Sequence, residues 1–167
     1  MLFGNKELIF DKPLVMGIIN ITTDSFSDGG KFISNNLTSE FDLRKIIKEI
    51  NFLEKSGASF IDIGAESTRP GYSPISTQEE LDRLIPVLEL ISETKSIISI
   101  DTRKPEVMKE VLKFPIGLIN DVSGLTSISG RKLVKNHNVP ICVMHNSRDR
   151  TKSVSYTHLT LPTKRIV

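Results

Sequence analysis

The chain has 167 residues, of which 38% are hydrophobic and 25% are charged, as expected for a globular domain that can bury a sizeable core. Its formal net charge of +2 gives no reason to expect nucleic acid or an anionic membrane as the main partner. No apolar run has the length of a membrane span, and the N-terminus lacks the pattern of a secretory signal. We therefore expect a cytoplasmic protein.

Apolar runs of strand length recur along the chain and are almost continuously apolar, which is typical of strands covered on both faces. They occupy residues 14–20, 59–63, 97–101, 117–121 and 140–144. The last run contains the single cysteine, Cys142, which excludes an internal disulfide. Its apolar neighbours predict a buried structural thiol rather than a nucleophile.

Segments with helical spacing of apolar residues lie between these runs. They cover about residues 41–56, 77–92, a stretch that begins near Pro105, and residues 130–138. Ser76 and Glu79 have the spacing of an N-terminal cap for the second helix. Strand and helix therefore alternate strictly, which predicts a parallel sheet with right-handed crossovers.

Two architectures fit this alternation: an open doubly wound sheet and a (β/α)8 barrel. Polar side chains follow the carboxyl ends of successive runs, and they include Asn20, Asp62, Glu66, Asp101, Asn120, Asp121 and His145. A barrel takes site residues from many strand ends, whereas a doubly wound sheet binds ligands at one or two switch points. We therefore predict an α/β fold, a truncated TIM-type (β/α)8 barrel with about five parallel strands and four helices. A complete barrel needs roughly 250 residues.

Residues 1–152 are predicted to form this N-terminal portion of a barrel domain, and residues 153–167 differ from it. The tail reads SVSYTHLTLPTKRIV and has no helical stripe of apolar residues. It resembles translated sequencing-adapter read-through, so we expect it to be artefactual or disordered. A genuine loop and strand is the alternative.

The loops after the first two strands carry groups that suit an anionic ligand. Asn20 closes a buried strand with an amide, which suggests a ligand for a hard cation or a polar substrate, although a simple turn uses similar residues. Ser67, Thr68 and Arg69 place two hydroxyls and a guanidinium together, a combination that suits a phosphate or diphosphate. A solvated connection is the structural alternative for this second loop.

Asp101 and Asn120 each close a later apolar run, so both are expected at the same mouth of the sheet. A carboxylate accepts hydrogen bonds, while an asparagine both donates and accepts, so the pair suits the edge of a flat heterocycle. Alternatively, Asp101 or Thr102 caps the helix that begins near Pro105. His145 ends the fifth run and is more typical of a hydrogen-bonded structural residue than of an acid or base.

The motifs MGIINITTDSFSDGG, DIGAESTRPG, SIDT, INDVSG and CVMH, in this order and spacing, closely resemble the dihydropteroate synthase family over about residues 13–145. The resemblance implies a (β/α)8 barrel transferase of folate biosynthesis. Such an enzyme joins 6-hydroxymethyl-7,8-dihydropterin diphosphate to p-aminobenzoate and releases diphosphate. It also implies Mg²⁺, a homodimer for the intact enzyme, and no protein nucleophile.

The resemblance assigns roles to individual positions. Asn20 resembles the Mg²⁺ ligand, and Thr68 and Arg69 resemble residues on the diphosphate side. Asp101 and Asn120 resemble the residues that bind the pterin. Phe26 and Pro70 resemble positions that shape the p-aminobenzoate and sulfonamide pocket.

The sequence also departs from the family pattern. Thr23 stands where the family usually has proline, and Ala65 stands where it often has a second glycine. The family's later aspartate, lysine and arginine–histidine motifs are absent, so we expect this chain alone to be inactive. A pterin-binding methyltransferase and a non-catalytic partial-barrel fragment are the alternative functions.

Overall fold

A computed structural model describes residues 1–21, 43–67, 73–91 and 93–144, so the tail at 153–167 lies outside the described residues. The strands are β1 Leu2–Phe3, β2 Lys6–Glu7, β3 Met16–Asn20, β4 Phe60–Gly64, β5 Ile97–Asp101, β6 Leu118–Asp121 and β7 Ile141–Val143. The helices are α1 Leu43–Lys55, α2 Thr77–Leu90, α3 Pro105–Val111 and α4 Ile128–His137. Every predicted strand and helix is present, with ends within two residues of the predicted ones.

Strands β3 to β7 form one parallel sheet whose spatial order equals their order in the chain. A doubly wound sheet instead reverses its strand order at a switch point. Consecutive parallel pairing, with a helix between each pair of strands, is the arrangement of a β/α barrel. The described residues thus form five successive strands and four helices of such a barrel, which confirms the predicted fold class over the doubly wound alternative.

The strand register gives the sheet two different faces. One face packs apolar side chains against the four helices, and this core includes Ile19, Ile61, Ile63, Ile98, Ile100, Ile119, Ile46, Ile50, Leu84, Val87, Val107, Met108 and Val134. The other face is open at the β3 edge, where Ile18 is 64% exposed. Apolar surface is therefore buried mainly between the sheet and the helices. Each Å² of buried apolar surface stabilises the fold by roughly 25 cal/mol. Polar side chains on the open face do not interrupt that core.

An antiparallel hairpin of β1 and β2, which no sequence pattern predicts, packs at the amino end of the sheet. Gly4 in its turn has a φ of +60°, a left-handed conformation that favours glycine. The ring of Phe3 meets the ring of Phe60 edge-on, with centroids 5.1 Å apart. With Ile97 and Leu118, these rings form a second, smaller core. The hairpin thus covers the end of the sheet opposite to the polar strand ends.

The helix ends follow capping rules. The Ser76 hydroxyl accepts a hydrogen bond from the backbone N–H of Glu79 at 3.1 Å, which confirms the predicted cap of α2. Helix α3 begins after Lys104, so neither Asp101 nor Thr102 is its N-cap residue. The Thr102 hydroxyl instead accepts from the backbone N–H of Lys104 at 3.3 Å. Within the described ranges, no helix has the length and apolar content needed to cross a membrane.

Candidate functional site

Three of the predicted site residues lie in one row at the carboxyl edge of the sheet. The strand register pairs Asn20 with Gly64, Gly64 with Asp101, Asp101 with Asn120, and Asn120 with Cys142. Neighbouring strands lie about 4.8 Å apart, so each residue in the row stands beside the next. Asp101 and Asn120 lie at the same end of adjacent strands, as predicted, and Asn20 lies at that end too, two strands from Asp101. Thr68, which is predicted at the same end, lies outside the described residues.

Gly64 makes room in this row for the Asp101 carboxyl group. A Cβ atom added to Gly64 would lie 3.3 Å from Asp101 Cβ and 3.5 Å from Asp101 Oδ2. Any side chain at position 64 would therefore crowd the carboxyl group from the adjacent strand. The glycine keeps the open face accessible between Asn20 and Asp101.

The pKa of Asp101 is raised from 3.8 to about 7. Burial is the largest cause, because it disfavours the charged form. The negative charges of Asp62, Glu80, Asp121 and Glu66 raise the pKa further. Near neutral pH, Asp101 thus exists in both forms, so it can accept a hydrogen bond from a ligand or donate one to it.

Asp62 lies one step deeper on the same face, in the row that pairs Ile18, Asp62, Ser99 and Leu118. Its side chain is buried and has two partners. Asp62 Oδ1 accepts from the Ser99 hydroxyl at 2.5 Å, and Asp62 Oδ2 accepts from Asn120 Nδ2 at 2.9 Å. The sequence predicts Asp62 as a polar strand end and assigns it no role.

Asp121, next to Asn120, has a structural function. Its carboxylate accepts from the backbone N–H groups of Ser123 at 2.7 Å and Leu125 at 3.1 Å. These bonds hold the turn after β6, where Leu125 has a φ of +53°. The INDVSG motif therefore divides into one residue on the site face and one that shapes the following turn.

Glu66, just beyond β4, belongs to a cluster of paired charges. Its carboxylate accepts from Arg103 Nε at 3.0 Å and Nη2 at 3.2 Å, and Lys104 Nζ lies 3.4 Å away. Lys104 Nζ also donates to Glu80 Oε2 and to the backbone carbonyl of Ile75, both at 2.7 Å. Burial alone would raise the pKa of Glu66, but the hydrogen bond from Arg103 and the charges of both cations lower it. We name Glu66, Glu80, Arg103 and Lys104 the charge cluster.

The charge cluster fixes the two ends of the segment that carries the predicted diphosphate residues. The backbone N–H of Ile75 donates to Glu66 Oε1 at 3.2 Å, so residues 66 and 75 are tied together. Arg83 of α2 donates to the Ala65 carbonyl at 2.9 Å and to the Ile21 carbonyl at 3.4 Å. These buried contacts join the ends of β3 and β4 to helix α2. No sequence pattern suggested them, because the partners are far apart in the chain.

Several predicted site residues lie outside the described residues: Phe26, Thr68, Arg69, Pro70 and His145. Their assignments stay predictions. Among the residues that the structure describes, no group of three His, Cys, Asp or Glu side chains could hold a metal ion. The assignment of Asn20 as a magnesium ligand therefore stays a prediction.

The predicted burial of Cys142 is wrong, because its side chain is exposed. Two physical reasons account for the difference. Strand register places Cys142 beside Asn120 on the open face, whereas its neighbour Ile141 packs against the helix-covered core. In addition, β7 is the last strand of the described sheet, so no described strand lies beyond it. The apolar run around Cys142 could not reveal which face it occupies.

The chain is similar to known proteins of one family. The family model described as "Pterin binding enzyme" matches residues 16–162. The dihydropteroate synthase of Clostridium beijerinckii is 41% identical over 155 residues, which are 91% of this chain and 54% of that protein.

Solved structures give the same result. The dihydropteroate synthase of Yersinia pestis with a sulfonamide drug complex superposes with a TM-score of 0.78 at 37% identity, over 88% of this chain and 51% of that one. Xanthomonas albilineans dihydropteroate synthase with 4-aminobenzoic acid has a TM-score of 0.71 at 40% identity, over 84% and 50% of the two chains. The chain thus spans about half the length of the relatives that it matches.

Proposed function

This chain belongs to the pterin binding enzyme family, and on that premise we propose that it forms the first half of a dihydropteroate synthase barrel. The proposed reaction joins 6-hydroxymethyl-7,8-dihydropterin diphosphate to p-aminobenzoate, giving 7,8-dihydropteroate and diphosphate. The observation that carries the proposal is the row of Asn20, Asp101 and Asn120 across neighbouring strand ends. The relatives named above support the synthase over the methyltransferase alternative.

In the proposed complex, Asp101 and Asn120 hold the edge of the pterin ring. The Asn120 amide supplies an acceptor and a donor, and Asp101 supplies a carboxyl group with a pKa of about 7. Both lie on adjacent strands at one edge, so they can contact neighbouring atoms of one flat ring. Rigid strands place them, which favours a preorganised site.

The chemistry then needs no protein nucleophile. The bond between the pterin methylene carbon and the diphosphate oxygen breaks, and the diphosphate leaves with the electron pair. The amine nitrogen of p-aminobenzoate forms the new carbon–nitrogen bond and loses a proton. Thr68 and Arg69 are proposed to bind the departing diphosphate, and Phe26 and Pro70 to shape the p-aminobenzoate site.

Magnesium is part of the proposal. The Asn20 amide oxygen is a hard ligand of the type that Mg²⁺ accepts, and Mg²⁺ usually keeps several waters and binds substrate phosphates besides one or two protein ligands. When bound, the cation would neutralise charge on the diphosphate. A cytoplasmic location and a homodimeric assembly stay predictions.

The proposed function is tested by joining this chain to the second half of the Clostridium beijerinckii relative and assaying dihydropteroate formation. We expect turnover by the complete barrel and none by the 167-residue chain alone, because the chain spans about half of its relatives. Turnover by the chain alone, at a rate near that of the complete barrel, would contradict the expectation. A complete barrel that folds but binds no pterin would refute the proposed function.

Ligand binding to the complete barrel separates the proposed roles. Asn120→Ala should weaken 6-hydroxymethylpterin and its diphosphate alike, by about 5- to 150-fold, because a buried partner is left unpaired. Arg69→Ala should weaken only the diphosphate compound, because charge-assisted bonds to phosphate oxygens are lost. Calorimetry with both ligands measures the difference. Equal weakening of both ligands by Arg69→Ala would show that this residue shapes the site rather than holding the leaving group.

A further inference from the structure

We propose that Asp62 is a positioning residue that fixes the orientation of the Asn120 side-chain amide toward the bound heterocycle. The contact that carries this inference is the hydrogen bond from Asn120 Nδ2 to Asp62 Oδ2 at 2.9 Å. The inference rests on the proposed function and deepens it, because it names what determines the donor and acceptor pattern of the site.

The chemistry of the two groups sets the orientation. An ionised carboxylate only accepts hydrogen bonds, so the amide must turn its NH₂ group toward Asp62. The Asn120 oxygen then lies on the other branch of the amide, directed away from Asp62. Without Asp62, a rotation by 180° would exchange oxygen and nitrogen with little change in shape. The carboxylate therefore selects one of two nearly isosteric states.

Ser99 keeps the carboxylate itself in place. Its hydroxyl donates to Asp62 Oδ1 at 2.5 Å, so each carboxylate oxygen has its own partner. Ser99 is fully buried, and Asp62 is 4% exposed. Hydrogen bonds between buried groups are stronger than those in water, and both ends of this chain of contacts lie on rigid strands. The Ser99–Asp62–Asn120 contacts thus form a fixed relay across β4, β5 and β6.

The fold alone does not call for a carboxylate at position 62. In the same register row stand the apolar residues Ile18 and Leu118, and on the preceding row stands Phe60. A buried carboxylate is unfavourable unless it is well paired, and an apolar side chain of similar size often serves stability as well. The hydrogen bonds from Ser99 and Asn120 supply that pairing for Asp62.

The fixed amide defines a ligand class. With its oxygen free to accept, Asn120 suits a ring edge that carries N–H groups, such as that of a 2-amino-4-oxopyrimidine. The reversed amide would instead present N–H groups and suit a ring edge of carbonyl oxygens. Discrimination of this kind is large, because a mismatched edge leaves buried polar groups unpaired.

The test uses the complete barrel, with 6-hydroxymethylpterin as the probe in calorimetry. Asp62→Ala should weaken binding by about 5- to 150-fold, as expected when a buried hydrogen-bond partner is removed. Asp62→Asn should weaken binding less than Asp62→Ala does. Its amide oxygen can still accept from Asn120, and its NH₂ group can donate to the Ser99 oxygen once that hydroxyl rotates. A residue that mattered only for its charge would show no such rescue.

A double-mutant cycle separates positioning from general damage. Asp62→Ala should add little to the loss already caused by Asn120→Ala, because Asp62 acts through Asn120. Glu54→Ala is the matched control, since it also removes a carboxylate that accepts several hydrogen bonds, from Thr94, Lys95 and Ser96 at the amino end of β5. The control should lower stability and leave pterin affinity unchanged.

The outcomes are distinguishable. If the wild-type barrel binds no pterin, the proposed function fails. Suppose that the wild-type barrel binds pterin and that Asn120→Ala weakens the binding. If Asp62→Ala then leaves pterin affinity unchanged, this inference fails while the proposed function stands. The same holds if the loss from Asp62→Ala adds in full to the loss from Asn120→Ala. The inference would also be overturned if Asp62→Asn lost as much pterin affinity as Asp62→Ala.

Discussion

Two carboxylates near the same edge of the sheet, Asp101 and Glu66, have opposite protonation behaviour. Burial acts on both in the same direction and raises the pKa. For Asp101 the neighbouring charges are negative and the pKa reaches about 7, whereas Arg103 and Lys104 beside Glu66 bring its pKa below the usual value. The difference comes from whether a cation lies within hydrogen-bond distance.

The charge cluster and the row of strand-end residues are close in sequence but differ in their electrostatics. The charge cluster is internally neutralised, and its hydrogen bonds join loops and helix ends. The row that includes Asn20, Asp101 and Asn120 contains no cationic side chain, and no charge pair neutralises it internally. In physical terms, the first region holds loops and helix ends together, and the second one is the candidate site.

The largest expected effect breaks the charge cluster. Lys104→Met should lower the free energy of unfolding of the chain by roughly 3 kcal/mol, because it leaves buried carboxylates of Glu66 and Glu80 without their shared cation. Lys113→Met is the matched control, since Lys113 pairs with Glu110 on the surface. Urea unfolding of both variants gives the comparison. Similar losses in the two variants would show that burial does not distinguish these pairs.

The next expected effect is a gain in the free energy of unfolding when Asp101 is replaced, in contrast to the loss expected in the charge cluster. Asp101→Asn should raise the free energy of unfolding at about pH 8 and change it little at about pH 4. The folded chain keeps the Asp101 proton up to a pKa of about 7, so the stability linked to this group is present below 3.8 and lost as the pH rises through about 7. The gain stays below about 4 kcal/mol, the free energy of the whole shift.

The measurement is urea unfolding of both chains at the two pH values, and an equal gain at both would contradict the raised pKa. Glu66 provides the opposite case. Its lowered pKa gives stability that is present above the unfolded value of 4.5 and is lost as the pH falls. Glu66→Gln should therefore be most destabilising at neutral pH.

The smallest expected effect concerns Cys142 at the far end of the row. Its exposed thiol should react with a disulfide reagent in the folded chain without prior unfolding. Cys142→Ser should change the free energy of unfolding by less than about 0.5 kcal/mol, as is usual for an exposed position. Reaction kinetics with and without dilute urea give the measurement. A reaction that requires urea would place the thiol in a buried environment.

Much of this fold follows from local patterns. Apolar runs end at Asn20, Asp101 and Asn120. Because strands that alternate with helices run parallel, the carboxyl ends of these runs lie at one edge of the sheet. The cap of α2 at Ser76 is likewise a short-range signal, since its partner is three residues away. The barrel architecture followed because polar residues ended several runs rather than one or two.

Other features depend on contacts between distant parts of the chain. Asp62 meets Ser99 and Asn120, which are 37 and 58 residues away, and nothing in its own segment marks those partners. The face occupied by Cys142 depends on a pairing register that an unbroken apolar run does not encode. The strands of the amino-terminal hairpin are two residues long, too short for any periodicity.

The unbroken strand order has a consequence for the way the protein assembles. Each strand from β4 to β7 pairs with the strand that precedes it in this sheet, so these four pairings need no partner from much later in the sequence. Contacts between near neighbours in sequence form with a small loop-closure penalty. Synthesis proceeds from the N-terminus at about 5–20 residues per second, so each new strand–helix unit can dock on a sheet edge already in place. The strands therefore leave the ribosome in the same order in which they add to the sheet.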